Sequence, residues 1–313
     1  MRVYLLIPLA LLLSCRSVKN SNTPKSNEQL LTDVRILSSD EYQGRRTGTK
    51  GAEMSRSYIS GRLKKLGLKS FSGYTNYEQP FKAKEKNGSL SDAKNLIAYI
   101  PGKSDQAIVI SAHYDHLGVV NNEIFNGADD NASGVAGLLK IAAWYAKAKP
   151  DNTIIFAFFD AGELEWQGSK YFVNHSPIML EKILVNINLD MISHNDQNIL
   201  YVAGTLKNPQ LKPFITYTNQ ELKIRTGHDN PKQSVEDWTN QSDQGAFNAK
   251  KVPFLYFGVE DHKDYHKESD EYQNINPDFL ISTSNAILEI VDNIDKQRDI
   301  QALYREKLQM KKQ

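Results

Sequence analysis

The chain has 313 residues, with 38 Lys and Arg against 37 Asp and Glu, so its formal net charge at pH 7 is +1. This near-neutral balance gives no electrostatic surface for nucleic acid, and the 40% of hydrophobic residues is enough to build a folded core. The single cysteine excludes an internal disulfide framework and a cysteine-rich metal cluster.

The N-terminus is typical of an export signal. A positive start at residues 1–2 precedes an apolar run over 3–13, which is shorter than the about 20 residues that a membrane-spanning helix needs. Cys15 follows directly, in a pattern that resembles a bacterial lipoprotein signal; an ordinary secretory signal with an unrelated cysteine is the alternative. We predict a signal peptide over 1–14, lipidation at Cys15 and a polar tether over 15–28. This places the protein in the bacterial cell envelope, with the lipid anchor as its membrane attachment.

From residue 29 onward the sequence alternates between helical and strand-like segments. Helical spacing is clear over 30–37, 52–66, 133–147 and 277–294. Strand-like runs are found at 95–100, 107–112, 153–159, 183–189, 199–202 and 252–259. This alternation predicts one α/β domain over 29–294, a three-layer α/β/α structure with a mostly parallel central sheet, followed by a charged tail over 295–313.

Histidine and acidic residues follow the ends of several predicted strands. They are His113 and Asp115, Glu163, Asp190, and His266. Asp129 and Asp130 lie in a Gly- and Asn-rich turn that leads into a helix. Ligands of an open parallel sheet bind outside the carboxyl ends of its strands, and gathered carboxylates need a cation to compensate them. Two histidines with three carboxylates suit zinc, with cobalt or manganese as alternatives, and shared acids also suit two metals about 3.5–4 Å apart.

Five short motifs resemble the co-catalytic zinc exopeptidases of metallopeptidase family 28. They are 39–45 (SDEYQGR), 112–118 (AHYDHLG), 127–134 (GADDNASG), 188–191 (NLDM) and 264–266 (DYH). The similarity extends over roughly 30–292. It implies a phosphorylase/hydrolase-like α/β/α fold, two zinc ions per chain, and peptides or protein N-termini as partners.

The resemblance also implies a role for each candidate residue. Asp129 would be shared by both zinc ions, His113 and Asp190 would hold one ion, and Glu163 and His266 would hold the other. Asp115 would orient His113, and Asp270 would lie close to the site. We interpret His116 as a support for the loop of His113, and His175, His194 and His228 as surface residues. For His262 a place in the pocket and a place outside it stay open.

The sequence departs from the family pattern where a catalytic base is expected. The family usually has Ala-Glu-Glu-x-Gly-Leu-x-Gly-Ser, with the general base first and a zinc ligand second, whereas residues 161–169 read AGELEWQGS. Glu163 then takes the ligand position and Gly162 the position of the base, a group typically worth about 10²–10⁴-fold in rate. A second departure lies at 242–244 (SDQ), where the family commonly has His third.

Three explanations of this departure stay open: Glu165 replaces the base, the protein is a weak hydrolase or acts on easier substrates, or it has lost catalysis and keeps the pocket for binding. The sequence therefore predicts an exported metallopeptidase that removes N-terminal residues from peptides, with reduced or lost activity. A zinc-containing lipoprotein that binds peptide termini without cleaving them is the alternative. A one-zinc relative such as a glutaminyl cyclase is a third possibility, which the complete set of ligand positions for two metals disfavours.

Overall fold

The structure is a computed structural model that describes residues 24–297 apart from 231, 233 and 234. The predicted signal peptide, Cys15, most of the tether and all but the first residues of the tail lie outside the described residues. Residues 24–28 were predicted as tether but form the first part of a helix. No helix in the described part of the chain combines the length and apolar character needed to cross a membrane.

The described residues form six α-helices and eleven strands. The helices are α1 Pro24–Leu37, α2 Lys50–Lys65, α3 Gly134–Tyr145, α4 Gln167–Asn174, α5 Gln244–Ala249 and α6 Pro277–Asp295. The strands are β1 Lys69–Ser70, β2 Glu78–Lys84, β3 Leu90–Ile100, β4 Ala107–His113, β5 Gly118–Val120, β6 Glu123–Phe125, β7 Thr153–Phe159, β8 Ile183–Leu189, β9 Ile199–Ala203, β10 Lys223–Thr226 and β11 Phe254–Gly258. Short 3-10 turns, including Asp40–Arg45, lie between them.

Nine of these strands form one sheet, in the order β1-β3-β7-β4-β8-β11-β9-β10, with β2 also paired to β3. The central strands β7, β4, β8 and β11 are parallel, as predicted. The sheet as a whole is mixed, because β1, β2 and β7 all pair antiparallel to β3 and β9 runs antiparallel to β11. Helices cover both faces, so the predicted three-layer α/β/α fold is confirmed.

Burial of the central strands on both faces explains why their sequences are continuous apolar runs. All seven residues of β4 and all seven of β8 are buried. Ile108 and Ile110 face a core shared with α1, α2, α3 and α6, whereas Val109 faces a second core with α4 and α5. Strands covered by helices on both sides have no solvent face and no polar alternation. The carboxyl ends of these strands are therefore held rigidly at one edge.

Arg45 is a buried cation that joins three separate segments at this edge. Its guanidinium donates to the backbone oxygens of Leu37 (2.8 Å), Tyr114 (2.9 Å), Asn126 (2.5 Å) and Gly127 (2.9 Å). Burial lowers the pKa of Arg45 to about 10, which nearby carboxylates oppose, so the side chain stays charged at neutral pH. Arg45 thus fixes the loop after β4 against the turn that precedes α3.

The end of α6 differs from the predicted tail. Asp295, predicted as the first residue of a charged and exposed segment, is buried. Its carboxylate accepts hydrogen bonds from the backbone N–H groups of Asp151 (3.0 Å) and Asn152 (2.8 Å). The helix consequently extends through Asp295, because these contacts satisfy a carboxylate that composition alone assigns to solvent.

The buried contacts of Arg45 predict a large loss of stability on its replacement. Arg45→Met should lower the free energy of unfolding by about 3–5 kcal/mol, because four buried carbonyl contacts lose a charged donor. Arg46→Met is the matched control: Arg46 is half-exposed and pairs with Glu85, so its loss should cost less than about 1 kcal/mol. Urea unfolding followed by circular dichroism measures both, and equal losses would contradict the role given to Arg45.

Candidate metal centre

The candidate residues come together at the carboxyl edge of the four central strands. His113 is the last residue of β4, Asp190 follows β8 directly, and Glu163 lies four residues after β7. His266 lies in the loop after β11. Because β7, β4, β8 and β11 are adjacent and parallel, their carboxyl ends open onto the same crevice.

Asp130 lies at the middle of this crevice, with its two carboxylate oxygens facing different groups. Its Oδ1 is 3.5 Å from His113 Nε2, which is itself 3.4 Å from Asp190 Oδ1. Its Oδ2 is 3.1 Å from His266 Nε2, which is 3.6 Å from Glu163 Oε2. One carboxylate therefore connects a His113–Asp190 group to a Glu163–His266 group.

Asp129, which the family resemblance made the shared carboxylate, is directed elsewhere. Its Oδ1 accepts hydrogen bonds from the backbone N–H and the hydroxyl of Ser193, both at 2.7 Å. Its Oδ2 accepts from His262 Nε2 at 3.1 Å, and the side chain is fully buried. The turn before α3 thus sends the two neighbouring aspartates to different partners, and the structure brings Asp130 rather than Asp129 into the crevice.

Asp270 fixes the backbone of the turn that contains Asp129 and Asp130. Its carboxylate accepts hydrogen bonds from the backbone N–H groups of Asp129 (2.9 Å) and Asp130 (3.0 Å). The pKa of Asp270 is raised to about 7, mainly because the side chain is buried and secondly because the negative charge of Asp129 is close. Asp270 lies close to the site, as the resemblance implied, and acts on the backbone of the turn.

Asp115 contacts both His113 and the segment after β7. Its backbone oxygen is 3.1 Å from His113 Nδ1, whereas its carboxylate accepts from the backbone N–H groups of Gly162 (2.7 Å) and Glu163 (3.1 Å). His113 is thereby oriented through a carbonyl, which places its Nε2 toward Asp130 and Asp190. Burial lowers the pKa of His113, but the facing Asp190 and its other acidic neighbours outweigh burial and raise that pKa well above its usual value.

The other histidines differ in part from their interpretation from sequence. His116 is buried against the crevice, with Nδ1 3.0 Å from Glu163 Oε1, and burial lowers its pKa to about 3. His194 and His228 were interpreted as surface residues, yet they are largely buried and stack on His262 and Trp238 respectively. Stacking on an aromatic or imidazole ring removes the ring face from water, and local polarity gives no sign of it.

Ser242 orients Asp190, although no individual role was predicted for Ser242. Its hydroxyl donates to Asp190 Oδ2 at 2.6 Å and accepts from Asn188 Nδ2 at 2.9 Å. Asn188 also donates to Gln244 Oε1 at 3.0 Å, at the position where the family commonly has histidine. The unusual 242–244 segment was the only sequence signal for this chain of hydrogen bonds.

Gly162 is packed so closely that the structure has no space for a side chain there. A Cβ atom at this position would lie 2.6 Å from Cγ and 2.8 Å from Nδ1 of His113. Glu165, the other candidate base, is exposed and its side chain makes no hydrogen bond or ion pair within the described part of the chain. The geometry therefore places no second glutamate beside Glu163.

The histidine and carboxylate atoms in the crevice are suitable ligands for zinc. Asp190 Oδ1 and His116 Nε2 are buried and have no hydrogen-bond partner among the described residues, which is costly unless an ion or water satisfies them. Within each of two groups, His113–Asp130–Asp190 and His116–Asp130–Glu163, one potential ligand atom per residue lies within 4.8 Å of the others. Imidazole nitrogen and carboxylate oxygen are ligands that zinc prefers.

Solved structures show the same fold. A glutaminyl cyclase from Porphyromonas gingivalis superposes with a TM-score of 0.72 and 19% identity, covering 86% of this chain and 98% of that one. A Zn-dependent exopeptidase from Parabacteroides distasonis superposes with a TM-score of 0.66 and 18% identity, covering 85% of this chain and 98% of that one. At these identities the likeness shows the fold alone.

Sequence relatives extend the comparison. Leupeptin-inactivating enzyme 1 of Streptomyces exfoliatus is 26% identical, over 82% of this chain and 58% of its own length. Leucine aminopeptidase 2 of Trichophyton rubrum is 28% identical, over 62% of this chain and 43% of its own length. The chain thus spans about half the length of these curated relatives. Residues 95–291, more than half of the chain, match peptidase family M28, and the chain belongs to that family.

Proposed function

We propose that this protein is an aminopeptidase-like hydrolase with two zinc ions, and that it removes N-terminal residues from peptides slowly. The observation that carries the proposal is the Asp130 carboxylate, whose two oxygens face separate histidine–carboxylate groups. The relative named leucine aminopeptidase and the solved zinc-dependent exopeptidase support the reaction class and the metal.

In this proposal Asp130 replaces Asp129 as the shared ligand. His113 and Asp190 hold one ion, as Glu163 and His266 hold the other. His116 lies beside Glu163 and orients that carboxylate, whereas the sequence predicted it as a support for the loop of His113. Asp115, Asp270 and Ser242 fix the ligands from outside, a task that partners of ligating residues commonly have.

The residues of this chain provide ligands for the metal but no general base for peptide hydrolysis. Zinc, when bound, lowers the pKa of a bound water toward 7 and polarises a carbonyl. The step that this chain serves poorly is transfer of a proton from water to the leaving amine. Gly162 offers no carboxylate for it, and loss of such a group costs about 10²–10⁴-fold in rate.

A second function, capture of peptide termini without cleavage, is favoured by the same glycine. The backbone N–H of Gly162 donates to the Asp115 carboxylate, and a Cβ at this position would lie 2.6 Å from Cγ of His113, so this segment is closely packed and has no room for a base. A one-zinc chemistry of the glutaminyl cyclase kind rests on the fold likeness alone. The number of zinc ions per chain separates it from the proposed centre.

We also propose that residues 1–14 direct export and that a lipid on Cys15 anchors the protein in the bacterial cell envelope. Support comes from the apolar run of 3–13 and the cysteine that follows it closely. Peptides in the envelope would then be the substrates.

The proposed ligand assignment predicts different effects for the two neighbouring aspartates. Asp130→Asn should reduce zinc from about two ions per chain to below one, because it weakens a ligand of both ions. Asp129→Asn should keep about two, since its carboxylate contacts Ser193 and His262. Mass spectrometry of metal content in the zinc-loaded protein measures this, and loss of zinc from Asp129→Asn alone would restore Asp129 as the shared ligand.

The missing base predicts slow hydrolysis that does not depend on Glu165. The zinc-loaded protein should cleave aminoacyl anilides and short peptides about 10²–10⁴-fold more slowly than an enzyme with the base. Glu165→Gln should change kcat by less than about twofold, because this side chain is exposed. A large drop in kcat would identify Glu165 as the base, and binding without turnover would favour the capture function.

The packing at Gly162 predicts that even alanine is poorly tolerated there. Gly162→Ala and Gly162→Glu should both lose zinc, because the added Cβ at 2.6 Å displaces the His113 ring. Gly61→Ala is the matched control, since a Cβ there meets nothing within 4 Å and should leave zinc content unchanged. Restored turnover in Gly162→Glu, with zinc retained, would show instead that only the carboxylate is missing.

A further inference from the structure

Two buried carboxylates lie behind the segment that carries Glu163. Asp115 comes two residues after the end of β4, Asp160 is the first residue after β7, and both are almost completely buried. The pKa of Asp160 is raised to about 6, mainly because the side chain is buried and secondly because the negative charge of Asp115 is close. Like charges that are buried near each other repel, so a polar group between them stabilises the pair.

The hydroxyl of Thr47 is the group that lies between these two carboxylates. Its oxygen is 2.9 Å from Asp160 Oδ1 and 3.3 Å from Asp115 Oδ2, and Thr47 is only 3% exposed. A hydroxyl carries one hydrogen, so the two carboxylates share a single donor in a three-centre hydrogen bond. Thr47 therefore links the two acids to each other.

Asp160 is the rigid side of this contact. Its Oδ1 also accepts a hydrogen bond from the backbone N–H of Ala161 at 2.9 Å. Its Oδ2 accepts from the backbone N–H of Lys94 at 3.0 Å and from the hydroxyl of Tyr114 at 2.6 Å, and a guanidinium nitrogen of Arg56 lies 3.6 Å away. These partners come from three elements of the fold, so the carboxylate has one orientation in which all of them are satisfied.

Asp115 is the side of the contact that acts on Glu163. Its Oδ1 accepts from the backbone N–H of Gly162 at 2.7 Å, and its Oδ2 accepts from the backbone N–H of Glu163 at 3.1 Å. The second of these oxygens is also the one that faces Thr47. Rotation of the Asp115 carboxylate would release both N–H groups, and with them the backbone that aims the Glu163 side chain into the crevice.

Thr47 is itself held between two anchored positions. Arg45, two residues earlier in the chain, donates to four backbone oxygens. Thr49, two residues later, caps α2 by accepting from the backbone N–H of Ala52. The backbone of Thr47 is thus fixed independently of the segment that its hydroxyl supports.

We propose that Thr47 is a positioning residue for the metal centre: its hydroxyl holds Asp115, and through Asp115 the backbone of Glu163, in the orientation that binds an ion together with His266. The inference rests on the proposed function, because that function makes Glu163 a ligand. The Asp115 carboxylate contacts the backbone of residues 162–163, so the ion at Glu163 depends on Thr47 more than the other ion does.

Removal of the hydroxyl tests the inference through zinc affinity of the full-length protein. Thr47→Val keeps the size of the side chain, and one of the two zinc ions should then bind about 10–100-fold more weakly in competition with a chelator. Thr47→Ser keeps the hydroxyl and should restore the wild-type affinity for both ions. Equal zinc affinities in Thr47→Val and the wild type would overturn the inference.

A double variant shows whether Thr47 acts through Glu163. In a Glu163→Gln background the ligand is already weakened, so adding Thr47→Val should change the affinity for the remaining ion by less than about twofold. A further loss of about tenfold or more would mean that Thr47 acts on another part of the centre, and the inference would fail.

Thr49→Val is the control for a general loss of stability. Thr49 is exposed and its hydroxyl caps α2, so its replacement destabilises the fold without reaching Asp115, and zinc affinity should stay unchanged. If Thr49→Val weakens zinc as much as Thr47→Val does, the effect is one of stability and the inference fails. A wild-type chain that binds fewer than two ions would refute the proposed centre itself, and this inference with it.

A measurement on the wild-type chain covers the case in which Thr47→Val does not fold. The buried hydroxyl proton of Thr47 should exchange slowly enough with water to give its own proton NMR resonance. Zinc should shift this resonance, because Asp115 Oδ2 accepts from both the hydroxyl and the N–H of Glu163. A resonance that zinc does not shift, or a hydroxyl that exchanges too fast to be seen, would overturn the inference.

Discussion

Concentration of negative charge at one edge of the sheet is the constraint on which the rest of the structure depends. Asp115, Asp130, Glu163 and Asp190 lie within or directly behind one crevice, and each is largely or fully buried. Arg45 is a fully buried cation near them, and its hydrogen bonds go to backbone oxygens. Two divalent ions would balance four carboxylates, which is the physical reason to expect metal there.

The surrounding residues are arranged to hold these carboxylates in fixed directions. Asp270 binds the backbone of the Asp129–Asp130 turn, Ser242 binds Asp190, and Asp115 binds the backbone that leads into Glu163. The hydrogen bond from the Gly162 N–H to the Asp115 carboxylate holds this backbone close to the His113 ring. A side chain at position 162 would therefore occupy the space that the ring needs in its ligand orientation.

The sequence predicted those parts of the fold that burial dictates. The central strands are continuous apolar runs, and β7 and β8 were predicted with the bounds that the structure has. The short β1 and the alternating β2 were missed. The strands β3 and β9 were predicted, but their antiparallel pairing with β7 and β11, which makes the sheet mixed, was not. Pairing at a sheet edge depends on contacts between distant segments, which hydrophobic period does not record.

At the site, residue types were predictable and directions were not. His113, Glu163, Asp190 and His266 meet where the strand ends place them. Which of Asp129 and Asp130 enters the crevice depends on the direction in which the turn points each side chain, which residue types do not reveal. Asp130 faces the crevice while Asp129 faces His262, so the turn connects the crevice to the stacked rings of His262 and His194. His262 and His266 lie in the same loop after β11, so this one loop contacts both aspartates of the turn: His262 pairs with Asp129, and His266 pairs with Asp130.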